Sequence, residues 1–195
     1  RECNVYTLYA LGFGIGGAMQ VHRLQAAGHD GVRVYLRRMA VLRVIGLLHS
    51  LLIWDGDILT LYALLGALLP WFARKPDRAL LAWAAALVWV VPLAGKALFD
   101  ALGWNPGGAI IAASLDLFAK MGGDPELDAA VRWLQNSGWR EQLAWSSSGT
   151  LYSWGLRIET WRISKVLGIM LLGLWAGRRV VQGGLLADPR LLRRI

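Results

Sequence analysis

Residues 37–69 read RRMAVLRVIGLLHSLLIWDGDILTLYALLGALL. Two apolar runs, 39–54 and 58–73, flank the acidic tip Asp55-Gly56-Asp57. The pattern predicts two membrane-spanning helices joined by a tight turn, with Trp54 and Trp71 as interfacial anchors. Each run is 16 residues long. A hydrocarbon core ~30 Å thick asks for ~20, so both helices must extend into the interface. The first run carries Arg43 and His49 among apolar neighbours.

Working outward, further apolar runs lie at 4–21, 79–99 and 163–181. The chain is 56% hydrophobic and 17% charged, with 11 Trp; a soluble chain carries ~25% charge. The expected fold class is therefore all-α, a multi-pass transmembrane helical bundle of about five spans. Gly12, Gly14, Gly16 and Gly17 in the first run suit close helix packing. GFGIGG lacks the GxxxxGK[ST] spacing of a phosphate loop and no βαβ pattern surrounds it. Pro92 should kink the run at 79–99, and Lys96 can snorkel toward headgroups.

Net charge is +8. The cations sit in short stretches between apolar runs rather than on one face of a soluble fold, which argues against a nucleic-acid partner. The stretches 22–38 and 74–78 and the tail after 177 carry 4, 3 and 5 Lys/Arg, 12 of the 21. They alternate with the acidic tip and with an excursion at 100–162. By the positive-inside rule the basic stretches lie in the cytoplasm, and the N-terminus, the tip and the excursion lie outside. The stretch 22–38 is expected as a basic loop. Within the excursion, 109–119 and 127–139 are expected as amphipathic helices, and Ser146-Ser147-Ser148-Gly149 as a loop. Trp145, Tyr152, Trp154 and Trp161, beside Arg157 and Glu159, have an aromatic belt as their default meaning. A headgroup- or sugar-binding surface is the sharper reading.

Cys3 is the single cysteine, which excludes an intrachain disulfide and a CxxC motif. No paired-His or HExxH spacing occurs, so no metal is expected. The chain begins Arg-Glu-Cys and reads as a fragment of a longer membrane domain, with no signal peptide at its start.

His49 is the leading candidate for chemistry. An ionisable group inside a span is costly and tends to face a bundle interior or a watery cavity. Imidazole can accept a proton or carry an acyl group; the plain alternative is a histidine bonded to a backbone carbonyl. Asp57 opens the next helix and reads as its N-cap. It is also close enough through the tip to orient His49. Asp55 is expected to be a solvated tip residue. Arg37, Arg38 and Arg43 are candidates for meeting an anionic group, against snorkelling or contact with anionic membrane lipids.

Several of these residues fall in a recognisable order. FGIG (13–16) is followed by a basic stretch, then by Arg37-Arg38, Gly46-Leu47-Leu48-His49, Trp54, Gly56-Asp57-Ile58-Leu59, Tyr62-Ala63-Leu64 and Gly66. Later come Arg157, LGIMLLGLWAGR (167–178) and LLADPRLLRR (185–194). This order resembles the YeiB-like family of bacterial multi-pass inner-membrane proteins, over roughly 5–75 and 150–195. The family is longer on both sides and is more remotely similar to membrane-bound acyltransferases such as heparan-alpha-glucosaminide acetyltransferase. The resemblance implies acyl transfer from a cytoplasmic thioester, acyl-CoA, to an extracytoplasmic sugar or lipid. His49 would then be the acyl-handling base, Asp57 its orienter, and Arg37, Arg38 and Arg43 the donor's contacts. The alternatives are a transporter using His49 and Asp57 as a proton relay, or a structural membrane protein.

Overall fold

The computed structural model describes residues 2–26, 30–124, 135 and 138–182. The described residues form helices and turns and no strand, so the fold is all-α. In chain order the helices are α1 (Glu2–Ala26), α2 (Gly31–Leu52), α3 (Leu59–Gly66), α4 (Leu69–Phe72), α5 (Asp77–Ala85), α6 (Val91–Leu102), α7 (Pro106–Lys120), α8 (Trp139–Glu159) and α9 (Arg162–Gln182). A π-helical turn, Ala86–Val90, joins α5 to α6. The turn ends just before Pro92, whose ring would crowd the carbonyl of residue 88 in a regular α-helix. Widening the helix there removes the clash.

Several sequence expectations need correction. The basic stretch 22–38 is mostly helical. α1 runs to Ala26, and Asp30 starts α2 by accepting the Arg33 N–H at 3.1 Å. Arg33, Arg37 and Arg38 therefore ride on a helix. Ser146–Gly149 lies inside α8. The hydroxyls that suggested a loop are absorbed by the helix: Ser148 Oγ donates to Ala144 O at 2.8 Å and Thr150 Oγ1 to Ser146 O at 2.7 Å. The expected helix at 127–139 lies outside the described residues apart from 135, 138 and 139.

Among the described residues one helix, Asp77–Leu102, is long and apolar enough to cross a membrane, with mean hydropathy 1.7. The other expected spans fall short for separate reasons. Arg33, Arg37, Arg38 and Arg43 interrupt α2, and Lys165, Arg178 and Arg179 interrupt α9. Asn4, Gln20 and four glycines dilute α1. Leu59–Phe72 is apolar but short, only about 21 Å at 1.5 Å per residue.

The chain divides into two compact units. The first comprises Arg1–Val41, Tyr62–Leu93 and Ser164–Ile195. Its core includes Tyr35, Met39, Leu69, Phe72, Leu80, Met170 and Leu171. A side chain at Gly14 of α1 would strike the Met170 carbonyl, and one at Gly173 of α9 would strike the Leu11 carbonyl. These two glycines let the helix backbones touch. Tyr35 donates to Gly66 O at 3.2 Å, and Tyr62 to Tyr6 O at 3.0 Å. Arg178 clamps the turn after α4: its guanidinium donates to the carbonyls of Phe72, Ala73 and Lys75 and meets Asp77 Oδ1 at 3.3 Å.

The second unit comprises Leu42–Leu61 and Ala94–Ile163. Here α7 packs along α8, with Phe118 edge-on to Trp145 at 5.5 Å and Ser114 fully buried. Asn105 caps α7 by accepting the Gly107 N–H at 2.9 Å, and its amide donates to Glu159 at 3.2 Å. α8 ends at Glu159, and Trp161 in the turn beyond it has a left-handed φ of 57°, an unusual conformation for a bulky residue. Its ring packs on Phe99 with centroids 5.0 Å apart, which holds the turn.

Candidate functional site

The tip of the α2–α3 hairpin lies wholly in the second unit. α2 ends where the His49 carbonyl accepts the N–H groups of both Ile53 and Trp54 at 2.9 Å. The chain turns through Asp55, Gly56 and Asp57, and Asp57 starts α3. Its Oδ1 accepts the Leu59 N–H at 3.1 Å and its Oδ2 the Thr60 N–H at 2.8 Å. A carboxylate suits this position, because the first N–H groups of a helix have no partner within it and carry its positive end.

Asp57 is 4% exposed. Its Oδ1 lies 3.3 Å from His49 Nδ1. The approach is close enough for an ion pair, yet the angles fall outside hydrogen-bond geometry, and Nδ1 is buried without a bond. The His49 side chain as a whole is 36% exposed. One ring nitrogen thus faces a carboxylate indoors while other atoms of the side chain reach the surface. A carboxylate beside Nδ1 favours the tautomer with its proton there, leaving Nε2 as the basic atom. Thr60 Oγ1 is also buried without a partner.

Two residues fix the carboxylate in place. A Cβ at Gly46 would stand 2.6 Å from Thr60 N and Oγ1. The bare backbone of α2 is what lets the start of α3 approach His49. Arg157, on α8, is 7% exposed; its Nη2 donates to the Asp57 backbone carbonyl and its guanidinium lies 5.0 Å from the Trp154 ring centre. The Thr150 hydroxyl, which shares its one proton between Ser146 O and Ser50 O, lies 3.0 Å from the latter, a second tie between α8 and the hairpin. Asp55 is half-buried and packs against Gly149 of α8, where the sequence suggested a solvated tip. Gly149 has no side chain, so there is room for that carboxylate.

The structure brings His49 and Asp57 together. It does not gather the three arginines. Arg37 lines a groove with Arg33 and Arg74. Arg38 turns to the side-chain amide of Gln20 on α1. Arg43 is exposed further along α2. At about 100° per residue, positions 37, 38 and 43 point in three directions around one helix. Sequence reasoning did not pick out Gly46, Thr60 or Arg157 for this site. A lone glycine in the middle of an apolar helix was the available signal for the first. Arg157 is 100 residues from Asp57 in the chain, and no local pattern links them.

Over 80 residues the chain is 42% identical to the uncharacterised protein YxaH of Bacillus subtilis strain 168, covering 41% of this chain and 20% of that one. It is 32% identical over 96 residues to an uncharacterised 39.9 kDa protein encoded in the amylase 3′ region of Bacillus acidopullulyticus, covering 49% of this chain and 28% of the relative. It is 43% identical over 65 residues to the uncharacterised protein YeiB of Escherichia coli strain K12, covering 33% of this chain and 15% of that protein. Each alignment spans well under a third of the relative's length. No family model matches the chain, and no solved structure does. By these likenesses the chain is similar, over part of its length, to YxaH- and YeiB-type bacterial proteins whose names assign no activity.

Proposed function

We propose that this chain belongs to a multi-pass protein of the bacterial inner membrane that transfers an acyl group from a cytoplasmic thioester to an extracytoplasmic sugar or lipid. The observation that carries the reading is the approach of His49 Nδ1 to the buried, doubly capped Asp57 carboxylate at 3.3 Å. Nε2 takes the proton of an acceptor hydroxyl as its oxygen attacks the thioester carbonyl. The C–S bond breaks, and the imidazolium returns the proton to the departing thiolate. Asp57 offsets the positive charge that the ring carries between those two transfers.

The membrane placement rests on surface chemistry. Val44, Ile45 and Leu48 on α2, and Trp89 and Leu93 on the helix at 77–102, are exposed. Extended apolar surface of this kind is unfavourable in water and natural in lipid. The alternation of basic and acidic stretches supports an orientation with the tip outside.

The test uses membranes carrying the protein, labelled acyl-CoA and analysis of membrane glycans and lipids. His49→Ala should lower transfer by about 10²- to 10⁴-fold while the protein still inserts. Undiminished transfer would sink the assignment. A proton-coupled carrier is the second reading. It is favoured by the unbonded Nδ1 beside Asp57. It requires gradient-driven uptake or efflux, lost in Asp57→Asn and indifferent to acyl-CoA.

A further inference from the structure

The first unit carries a separate feature at the start of α2. A shallow, open groove is lined by Arg33, Arg37 and Arg74 together with Asp30, Leu36 and Ala40. Arg33 and Arg37 are four residues apart on one helix and so share a face. Arg74 reaches the same groove from the turn after α4. All three are exposed.

Among the described residues no carboxylate pairs with any of the three. Asp30 lines the groove and offsets part of this charge, while its Oδ1 accepts the Arg33 backbone N–H at 3.1 Å. Asp77, near Arg74 in the chain, is taken on both oxygens: Arg178 holds Oδ1 at 3.3 Å and Arg179 holds Oδ2 at 3.0 Å. Lys96 pairs with Asp100 at 3.0 Å and Lys120 with Asp116 at 2.6 Å, whereas exposed Arg43 and Arg78, like the three arginines of the groove, meet no carboxylate among the described residues.

A positive-inside bias accounts for the sign of these residues but not for their meeting on one groove from two parts of the fold. Guanidinium offers planar, paired donors suited to phosphate oxygens. The N-terminal end of α2 adds potential of the same sign. Leu36, which is 40% exposed, supplies apolar surface beside the charges.

We infer that this groove binds a phosphate ester, its oxygens held by Arg33, Arg37 and Arg74 and the apolar or planar group it carries lying along Leu36 and Ala40. The ester can come from a phospholipid headgroup or from a soluble nucleotide-like molecule. The inference does not depend on the role of His49.

Calorimetric titration of the full chain in a neutral detergent tests it. The probes are short-chain phosphatidylglycerol, adenosine 3′,5′-bisphosphate and a short-chain diacylglycerol without phosphate. At least one phosphate probe should bind, and the diacylglycerol should not. Saturation by the lipid identifies a headgroup site; saturation by the bisphosphate identifies a soluble ligand. Combining Arg37→Ala with Arg74→Ala should weaken binding at least roughly tenfold. Combining Arg37→Lys with Arg74→Lys keeps the charge and removes the fork, so it should fall between the two. This pair also keeps the test open if the alanine variant folds poorly. Arg140→Ala, on α8, should bind like the parent. Binding by neither phosphate probe, or full affinity in both double variants, would overturn the inference.

Discussion

Asp57 reaches the flank of α2 because residue 46 has no side chain: a Cβ on Gly46 would stand 2.9 Å from Asp57 Oδ2. The carboxylate and the glycine belong to one packing arrangement. Its purpose in the hairpin is to hold the cap of α3 within reach of His49.

Gly46→Ala should therefore separate the two helices at the tip. The added methyl meets a backbone nitrogen, which cannot swing aside. A cost of about 1–3 kcal/mol is expected, as for other overpacked sites. Thermal unfolding in detergent measures it. An unchanged midpoint would mean that the hairpin has slack at this point.

Asp57 caps α3, and under the proposed function it also serves His49; substitution can separate the two. Asparagine keeps a side-chain oxygen for the cap, so Asp57→Asn should fold nearly as stably as the parent. Asp57→Ala should lose about 1 kcal/mol. Both remove the charge that faces His49. If transfer survives in Asp57→Asn, the carboxylate serves the helix alone.

Arg157 holds the Asp57 backbone rather than its carboxylate. Arg157→Ala leaves that carbonyl without its charged donor and should cost about 1.5–3 kcal/mol in equilibrium unfolding. Arg157→Lys should recover only part, since one ammonium cannot both donate to the carbonyl and lie flat by Trp154. Equal stability of all three proteins would remove Arg157 from the account.

The Arg178 clamp offers an independent measurement. Arg178→Ala and Asp77→Asn disturb the same turn, so the double variant should lose less than the sum of the single ones. A coupling of about 0.5–3 kcal/mol is expected. Strict additivity would show that the two side chains act separately.

Much of the hairpin is legible without coordinates. An aspartate between apolar runs, followed by Ile-Leu-Thr, is a helix start, and His49 lies close enough in the chain to share its turn. The supports are not legible. Gly46 matters because Thr60 packs on it, and Arg157 because α8 crosses beneath Asp57; both facts are tertiary. The serines of α8 misled because hydroxyl-rich stretches favour turns until packing supplies a helix and their donors fold back onto it. The arginines show a second limit of the sequence. Their spacing in a basic segment says nothing about facing until the segment is known to be helical, and the helix then scatters 37, 38 and 43.

The π turn at Ala86–Val90 has a consequence for the long helix that contains it. A turn closed by i→i+5 bonds takes in one residue more than its neighbours, and one residue is worth about 100° of rotation. The stripe of side chains before residue 86 therefore does not continue in line after residue 90. Leu81 and Leu93, both exposed, belong to faces whose relation a uniform helical wheel would misassign. Removing one residue between them would bring the two halves of the helix into phase.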